Sequence, residues 1–385
     1  MFFSWLGRRL GDAVTDSFLR TLINDAYTEN LYELVSTTQK MGMTNVVEIA
    51  FRAEQGRPLN RPFGSVIGLS PWHLLLLNPV HLWRFPTLET DDIDTSVIIG
   101  PQAAKPLKLG IPILIAGMSF GGALSEAVKV ALAKAARQMD TATNSGEAGL
   151  LLSEREAASH FIGQFNRGGW MNTPDKLRAL DAVEIQVGQG AQAATPQRTR
   201  AKQIGEDFRR VFNLAPGEDA VIHTRLPGVN TIDDFLALVS RLRKETGGVP
   251  IGLKFCATHH LERELEIGLK AGVDFVTIDG HEGGTHGGSS TVQDDVGLPT
   301  LISLARGVRY LEQAGVKDRV SIIASGGIRT PGQMLKALAL GADAVYIGTV
   351  AILALVSDQM SKTVPFEPPT ELVLYSGQLK ERFDV

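Results

Sequence analysis

Val320–Thr349 reads VSIIASGGIRTPGQMLKALALGADAVYIGT. An apolar run of strand length, Ser321–Ala324, stops at Ser325-Gly326-Gly327. A segment of helical period follows, with Met334, Leu335, Leu338 and Leu340 as its inward residues and Gly341 placed to end it. A second apolar run, Ala344–Ile347, stops at Gly348-Thr349. This pattern describes two parallel strands joined by a crossover helix. Both glycine turns stand at carboxyl ends of strands, where a missing side chain lets backbone N–H groups approach an anion. In a (β/α)8 barrel the loops after the last two strands are the usual phosphate site. Gly326, Gly327, Gly348 and Thr349 therefore read as a phosphate cradle. Two tight turns without a ligand are the plainer alternative.

Strand and helix alternate throughout the stretch that leads up to this one. Strands are expected at Ile111–Ala116, Thr141–Thr143, Phe161–Phe165, Val183–Val187, Ile251–Phe255 and Phe275–Ile278. Helices are expected at Leu124–Met139, from about Thr173-Pro174, and at Ile232–Glu245, Leu261–Ala271 and Leu298–Gln313. Gly188–Gly228 reads as one long connection. Eight alternating strands predict an α/β fold, a closed (β/α)8 TIM barrel, over residues 106–385. Residues 1–105 read as an N-terminal helical and irregular extension packed on the barrel. In it, Asp16–Lys40 and Val46–Glu54 have helical period, and Gly56–Pro106 is proline-rich without period. Trp72–Leu77 is apolar, bracketed by Pro71 and Pro79, and is expected to be buried against the barrel.

The chain has 385 residues, 44% hydrophobic and 21% charged, which suits a globular enzyme with a sizeable core. A net charge of −4 gives no basic field for nucleic acid. Cys256 is the single cysteine, so disulfides within the chain and clusters held by several of its thiolates are excluded. No apolar run reaches the ~18–20 residues of a membrane span. The opening MFFSWLGRRL puts its apolar cluster before Arg8 and Arg9, the reverse of a secretory signal. A cytoplasmic protein is expected. Residues 1–10 are read either as a weak membrane or partner contact or as a helix packed on its own domain.

The strand ends collect amides, hydroxyls and glycines around one cation, Lys254, set between Leu253 and Phe255. Alternation points Lys254 into the barrel, and a lone buried ammonium needs a partner. Reduced flavin is a suitable one, because positive charge near its N1 edge stabilises it. A salt bridge with Asp279 or Glu184 is the alternative. Asn144, Gln164 and Gln186 suit a pyrimidine edge. His259, His260, His281 and His286 lie on two loops at this end without metal-ligand spacing, so no metal site is assigned. His281 or His286 is read as an acid–base or hydrogen-bonding group, or as a structural histidine.

AGMSFGGALS, TATNSGEAG, VEIQVGQGA, IGLKF, TIDGHEGGTHGG and ASGGIRTPGQMLKALALGADAVYIGT, in this order over about residues 110–350, resemble the FMN-binding synthase domain of glutamate synthase. RAEQGRPLNRPFGS and IDTSVIIGP resemble its stand-alone bacterial members. The resemblance implies FMN, and reduction of 2-iminoglutarate, formed from 2-oxoglutarate and ammonia, to glutamate. It implies that Met118 and Ser119 approach the flavin, Asn144 and Gln186 border its ring, and Lys254 lies at its N1 side. Gly283, Gly284, Gly326, Gly327, Gly348 and Thr349 would hold the phosphate. Glu147 would face the substrate and handle protons or ammonium, or would simply be a loop carboxylate pairing with Arg155 or the helix dipole.

The sequence also departs from that family. Gln186 stands where the family usually has Lys, and Gln192–Gln197 replaces a Lys-Pro-Gly-Glu-Gly-Gly-like loop. Arg198, Arg200 and Lys202 are candidates for replacement charge, or are solvated. Ile352–Lys362 lacks the family's cysteine cluster. The opening Met1-Phe2-Phe3 leads us to expect that glutamine hydrolysis occurs elsewhere. Electron-donor and ammonia-supplying protein partners are therefore expected. Other readings are an FMN oxidoreductase acting on a 2-hydroxy acid, a dihydropyrimidine or an N-methyl amino acid, and a non-catalytic flavin-binding subunit. Inosine-monophosphate dehydrogenase needs a loop cysteine, and Cys256 lies at a strand end.

Overall fold

A computed structural model describes residues 2–26, 35, 38–39, 42–57, 64, 71–285, 287–363, 368 and 370–385. The chain divides into two compact units, residues 1–59 and 60–385. In the first, helices run Phe2–Asn24 and Met43–Gln55. The first helix thus starts well before the expected Asp16, and much of the expected continuation to Lys40 falls outside the described residues. Trp5, Leu6 and Leu10 on it are exposed, with the Arg9 guanidinium 4.5 Å from the Trp5 ring. Among the described residues no helix is long and apolar enough to cross a membrane.

In the second unit a 3-10 turn at Pro71–Leu74 precedes a hairpin, β1 (Val97–Ile99) against β2 (Leu107–Leu109). Its first strand lies inside the stretch Gly56–Pro106 expected to be irregular, and its second just past it. Its strands are three residues each, too short for a period to show. Gly100 at its turn lies against Pro250 and Asp274, and its N–H donates to Ser321 Oγ. The hairpin therefore closes the amino-terminal end of the barrel strands.

Those strands are β3 (Ile113–Ile115), β4 (Ala142–Asn144), β5 (His160–Phe165) and β6 (Ala182–Gln186). A second hairpin follows, β7 (Gln197–Thr199) with β8 (Ala220–Ile222), before β9 (Ile251–Cys256), β10 (Phe275–Asp279), β11 (Ser321–Ser325) and β12 (Ala344–Ile347). The barrel order is β3-β12-β11-β10-β9-β6-β5-β4, and every ladder is parallel. No ladder joins β4 back to β3. Instead Thr141 Oγ1 donates to the Ile113 carbonyl at 2.7 Å across that seam. The expected closed TIM barrel is thus present, one seam short of a continuous ladder.

Side chains from alternate strand positions build two cores. Leu114, Ala142, Ile162, Ala182, Phe275, Ile323 and Tyr346 fill the interior with Ile99, Leu107 and Leu109 of the hairpin. Val183, Ile185, Leu253, Phe255, Val276, Ile278 and Ile322 face the surrounding helices. The helices Ile232–Glu245 and Leu261–Ala271 have the expected bounds. The first starts at a capping box of Thr231 and Asp234; the second ends on Gly272 at φ +76.

Two packing expectations fail. Leu335, read as inward on the helix Pro331–Ala339, is 55% exposed, while Met334 and Ala337 are buried. A nine-residue helix buries a narrow stripe, and Leu335 sits beside it. In Trp72–Leu77, Trp72 alone is fully buried, and its carbonyl accepts from Lys336 Nζ at 2.8 Å. Leu74 and Leu76 stand 79% and 72% exposed, because the segment leaves the barrel after one anchor.

Candidate functional site

A cavity of about 630 Å³ lies at the carboxyl ends of the barrel strands. Its lining includes Met118, Ser119, Glu147, Lys254, Gly283, Gly284, Gly326, Gly327, Gly348 and Thr349. The topology brings these together from the turns after five strands and, for Lys254, from within a sixth, β9.

The glycine turns need glycine. Gly326 and Gly327 have φ of +107 and +66. A Cβ on Gly326 would lie 2.8 Å from the Gly280 carbonyl, and one on Gly327 would collide with Glu282. Thr300 Oγ1 is 2.7 Å from both the Gly326 carbonyl and Glu282 Oε2, and so ties the β11 turn to the β10 loop. The turn after β12 leads into the helix Thr349–Val356, with Gly348 at its cap.

Lys254 points inward, as alternation required: Leu253 and Phe255 pack in the outer core while Lys254 lines the cavity. It is 3% exposed, and its Nζ lies 3.6 Å from Asp279 Oδ2. Burial pushes its pKa down, but Asp279, Glu184 and Glu147 outweigh burial and hold it above the ordinary lysine value. Asp279 Oδ2 also accepts from the Gly190 N–H at 3.1 Å, and its Oδ1 has no partner. Lys254 therefore has the expected alternative partner and also faces the open cavity.

Asn144, Gln186 and His281 do not line the cavity. Asn144 Nδ2 donates to Glu184 Oε1 and to the Tyr346 hydroxyl, both at 3.0 Å, and its Oδ1 accepts from the Gly146 N–H. This side chain is consumed inside the barrel. Gln164 Nε2 likewise donates to Glu184 Oε1 at 2.8 Å. Gln186 is buried; its Oε1 accepts from Arg167, and its Nε2 has no partner. His281 is turned aside because its N–H is tied to the Leu298 carbonyl and its Cβ faces Gly297. Both of its ring nitrogens are buried without partners. His286 lies outside the described residues. His259 and His260 are exposed, their rings 3.7 Å apart. The described residues hold no group of three or more metal-ligating side chains.

Sequence reasoning missed two buried cations. Arg167, fully buried just past β5, donates to Glu147 Oε1 and Gln186 Oε1, both at 3.2 Å. Glu147 thus pairs with Arg167, and Arg155, its expected partner, pairs with Asp181. Arg198, Arg200 and Lys202 are exposed and supply no charge to the site. Lys129, fully buried in the helix Glu126–Gln138, contacts Glu154 Oε1 at 2.8 Å and donates to the carbonyls of Met118 and Asn144. It braces the ends of β3 and β4 from behind. Its place on the apolar stripe with Val128, Leu132 and Ala136 was the available signal.

Cys256 ends β9 and is buried. Burial, then the neighbouring Asp279 charge, pushes its thiol up to about 12. It is not a poised nucleophile. A thiol reagent at pH 8 is expected to label the native protein at least ~10-fold more slowly than the unfolded chain, measured by absorbance of the released chromophore.

Comparison with known proteins agrees with this geometry. The family profile described as "Conserved region in glutamate synthase" matches residues 81–363. The "Archaeal-type glutamate synthase [NADPH]" of Thermotoga sp. (strain RQ2) is 34% identical over 266 residues, 69% of this chain and 52% of that protein. The "Glutamate synthase large subunit-like protein" of Rhizobium meliloti (strain 1021) is 37% identical over 264 residues, 68% of this chain and 59% of that one. The chain thus spans little more than half the length of these relatives. A variant of flavocytochrome b2 with sulfite bound superposes with a TM-score of 0.51 at 19% identity, over 76% of this chain and 70% of that one. That likeness shows the barrel fold alone. With the profile covering most of the barrel and its strand-end turns, the chain belongs to the family of the conserved region in glutamate synthase.

Proposed function

We propose that this chain binds FMN in the strand-end cavity and acts as an oxidoreductase of glutamate synthase type. Its reaction is reduction of 2-iminoglutarate, from 2-oxoglutarate and ammonia, or of a related imine, to the amino acid. The observation that carries this reading is the buried Lys254 ammonium facing the same cavity as the two glycine turns. The described residues fit the cofactor. The cavity volume suits a flavin nucleotide, and glycines 326 and 327 let the β11 turn at its edge pack closely on Gly280, Thr300 and Glu282. Asp279 Oδ1, on the cavity lining, is a buried polar atom still lacking a partner.

Bound FMN supplies hydride transfer at its N5. Lys254 provides positive charge to a ring that gains negative charge on reduction. Gly283, Gly284, Gly326, Gly327, Gly348 and Thr349 are assigned to the phosphate, with the start of the helix Thr349–Val356 favouring the anion. Met118 and Ser119 are assigned to the ring. Asn144 and Gln186 act on it indirectly, by ordering Glu184 and Arg167. Glu147 is assigned to the proton or ammonium at the substrate nitrogen. The domain reading is a preface of residues 1–105 serving a barrel of 106–385. Electron donation and ammonia supply are assigned to separate proteins, and the compartment to the cytoplasm.

Purified protein is expected to show flavin absorbance that bleaches on anaerobic addition of an amino-acid substrate. A flavin that responds to a 2-hydroxy acid or an N-methyl amino acid instead would move the reaction to the second reading. Gly327→Val is expected to strip most of the flavin, about 90% or more, because a buried clash and positive φ together cost ~2–5 kcal/mol. Full flavin occupancy in that variant, read from the 450 nm to 280 nm ratio, would place the phosphate elsewhere.

A further inference from the structure

The cavity has a wall of which the flavin reading uses only Glu147. It is formed by Glu147, by Gln189, Gln192 and Gln197 from the excursion between β6 and β9, and by Trp170 and Phe212. The rings of Trp170 and Phe212 lie 4.6 Å apart, giving a broad apolar face. Glu147 Oε2 accepts from Gln192 Nε2 at 3.3 Å, and Gln189 Nε2 donates to Gln192 Oε1 at 2.6 Å. Gln197 Nε2 is buried without a partner.

Among the described residues, the charged side chains lining the cavity are Glu147, Lys254, Asp279, Glu282 and Arg329. Lys254 is engaged with Asp279, and Arg329 is exposed on the turn after β11. The excursion wall therefore carries one charge, the Glu147 carboxylate. Arg167 sits behind it, fully buried, bonded to Glu147 and Gln186, and absent from the lining.

We infer that this wall receives an uncharged or ammonium-bearing group on an apolar body, and that the substrate is an amine or imine with a single carboxylate. The inference rests on the proposed flavoenzyme reading and selects the related imine over 2-iminoglutarate. A second carboxylate brought here would lose its hydration, meet the Glu147 carboxylate, which Arg167 already holds from behind, and find no free cation among the described residues. Amides offer paired donors and acceptors to a neutral polar group, and the aromatic face rewards apolar area.

The test is calorimetric binding of 2-oxoglutarate and of 4-methyl-2-oxopentanoate to the full chain as purified, with flavin content measured separately. The monocarboxylate is expected to bind about tenfold or more tightly than the dicarboxylate. Glu147→Gln is expected to narrow that ratio at least ~3-fold by removing the like charge and leaving the Arg167 guanidinium unbalanced behind the wall. Gln192→Lys, checked for folding by circular dichroism, is expected to narrow or invert it. Tighter binding of 2-oxoglutarate, an unchanged ratio in Glu147→Gln, or no heat from either ligand overturns the inference. A colourless protein that still prefers the monocarboxylate overturns the cofactor assignment and leaves this one standing.

Discussion

Lys254→Met is expected to lower the reduction potential of the bound flavin and to destabilise the barrel by ~3–5 kcal/mol. Both effects have one cause. The ammonium faces the cavity and lies 3.6 Å from Asp279, with Glu184 and Glu147 also acting on it. Without it, the buried carboxylates of Glu184 within β6 and Asp279 at the end of β10 lose their counter-charge. Reduced flavin would then meet net negative surroundings, which disfavour the electron-rich ring. Redox titration against reference dyes reads the potential, and urea unfolding reads the stability. An unchanged potential in a fully loaded variant would contradict the role given to Lys254. The pH dependence follows from the direction of its shift. A lysine whose folded pKa is raised contributes stability that is complete below the unfolded value and is lost as pH rises through the folded one. The difference between wild type and Lys254→Met should therefore be flat from about pH 6 to about pH 9 and shrink only above about pH 10.4.

Lys129→Met is expected to cost a similar ~3–5 kcal/mol, although the residue touches no ligand. It strands the Glu154 carboxylate, 1% exposed, and leaves the Met118 and Asn144 carbonyls without their donor. Burial already pushes Glu154 above the ordinary glutamate value despite the attraction of Lys129. Because that pKa is raised, Glu154 contributes favourably below its unfolded value, and that contribution is lost as pH rises through the folded value. The penalty in Lys129→Met should accordingly be largest at neutral pH and fall as acid protonates Glu154. Adding Glu154→Gln should recover a large part of it, since the stranded charge is then gone. Thermal melts of the single and double variants at about pH 5 and about pH 7.5 check both points. A penalty that does not depend on pH would mean that lost packing, rather than stranded charge, sets the cost.

The two variants separate what the sequence displayed from what it hid. Most barrel strands announced themselves because they are apolar runs closed by glycine or a polar turn, and parallel strands are buried on both faces; β4, Ala-Thr-Asn, is the exception. Lys254 stood out for the same reason, as the one cation in such a run. The hairpins β1–β2 and β7–β8 did not, because three residues set no period and their pairing is decided by contacts distant in sequence. Pairing of charges was the least legible feature. Arg155 is nearer Glu147 in sequence than Arg167 is, yet Arg167 reaches it, since adjacent parallel strands bring the ends of β4 and β5 side by side. Asn144 carried a plausible ring-binding amide, but Glu184 and Tyr346 claim it in the interior. The exposed leucines after Trp72 show the limit from the other side: apolar content alone does not say which residues are buried.

The central claim concerns what fills the space between Lys254 and the two glycine turns. Mass spectrometry of the small molecule released by heating the purified protein, with the amount per chain taken from its absorbance, addresses it without needing a substrate. We expect FMN at close to one equivalent. A protein that releases no flavin, and takes up none when incubated with FMN, would contradict the account.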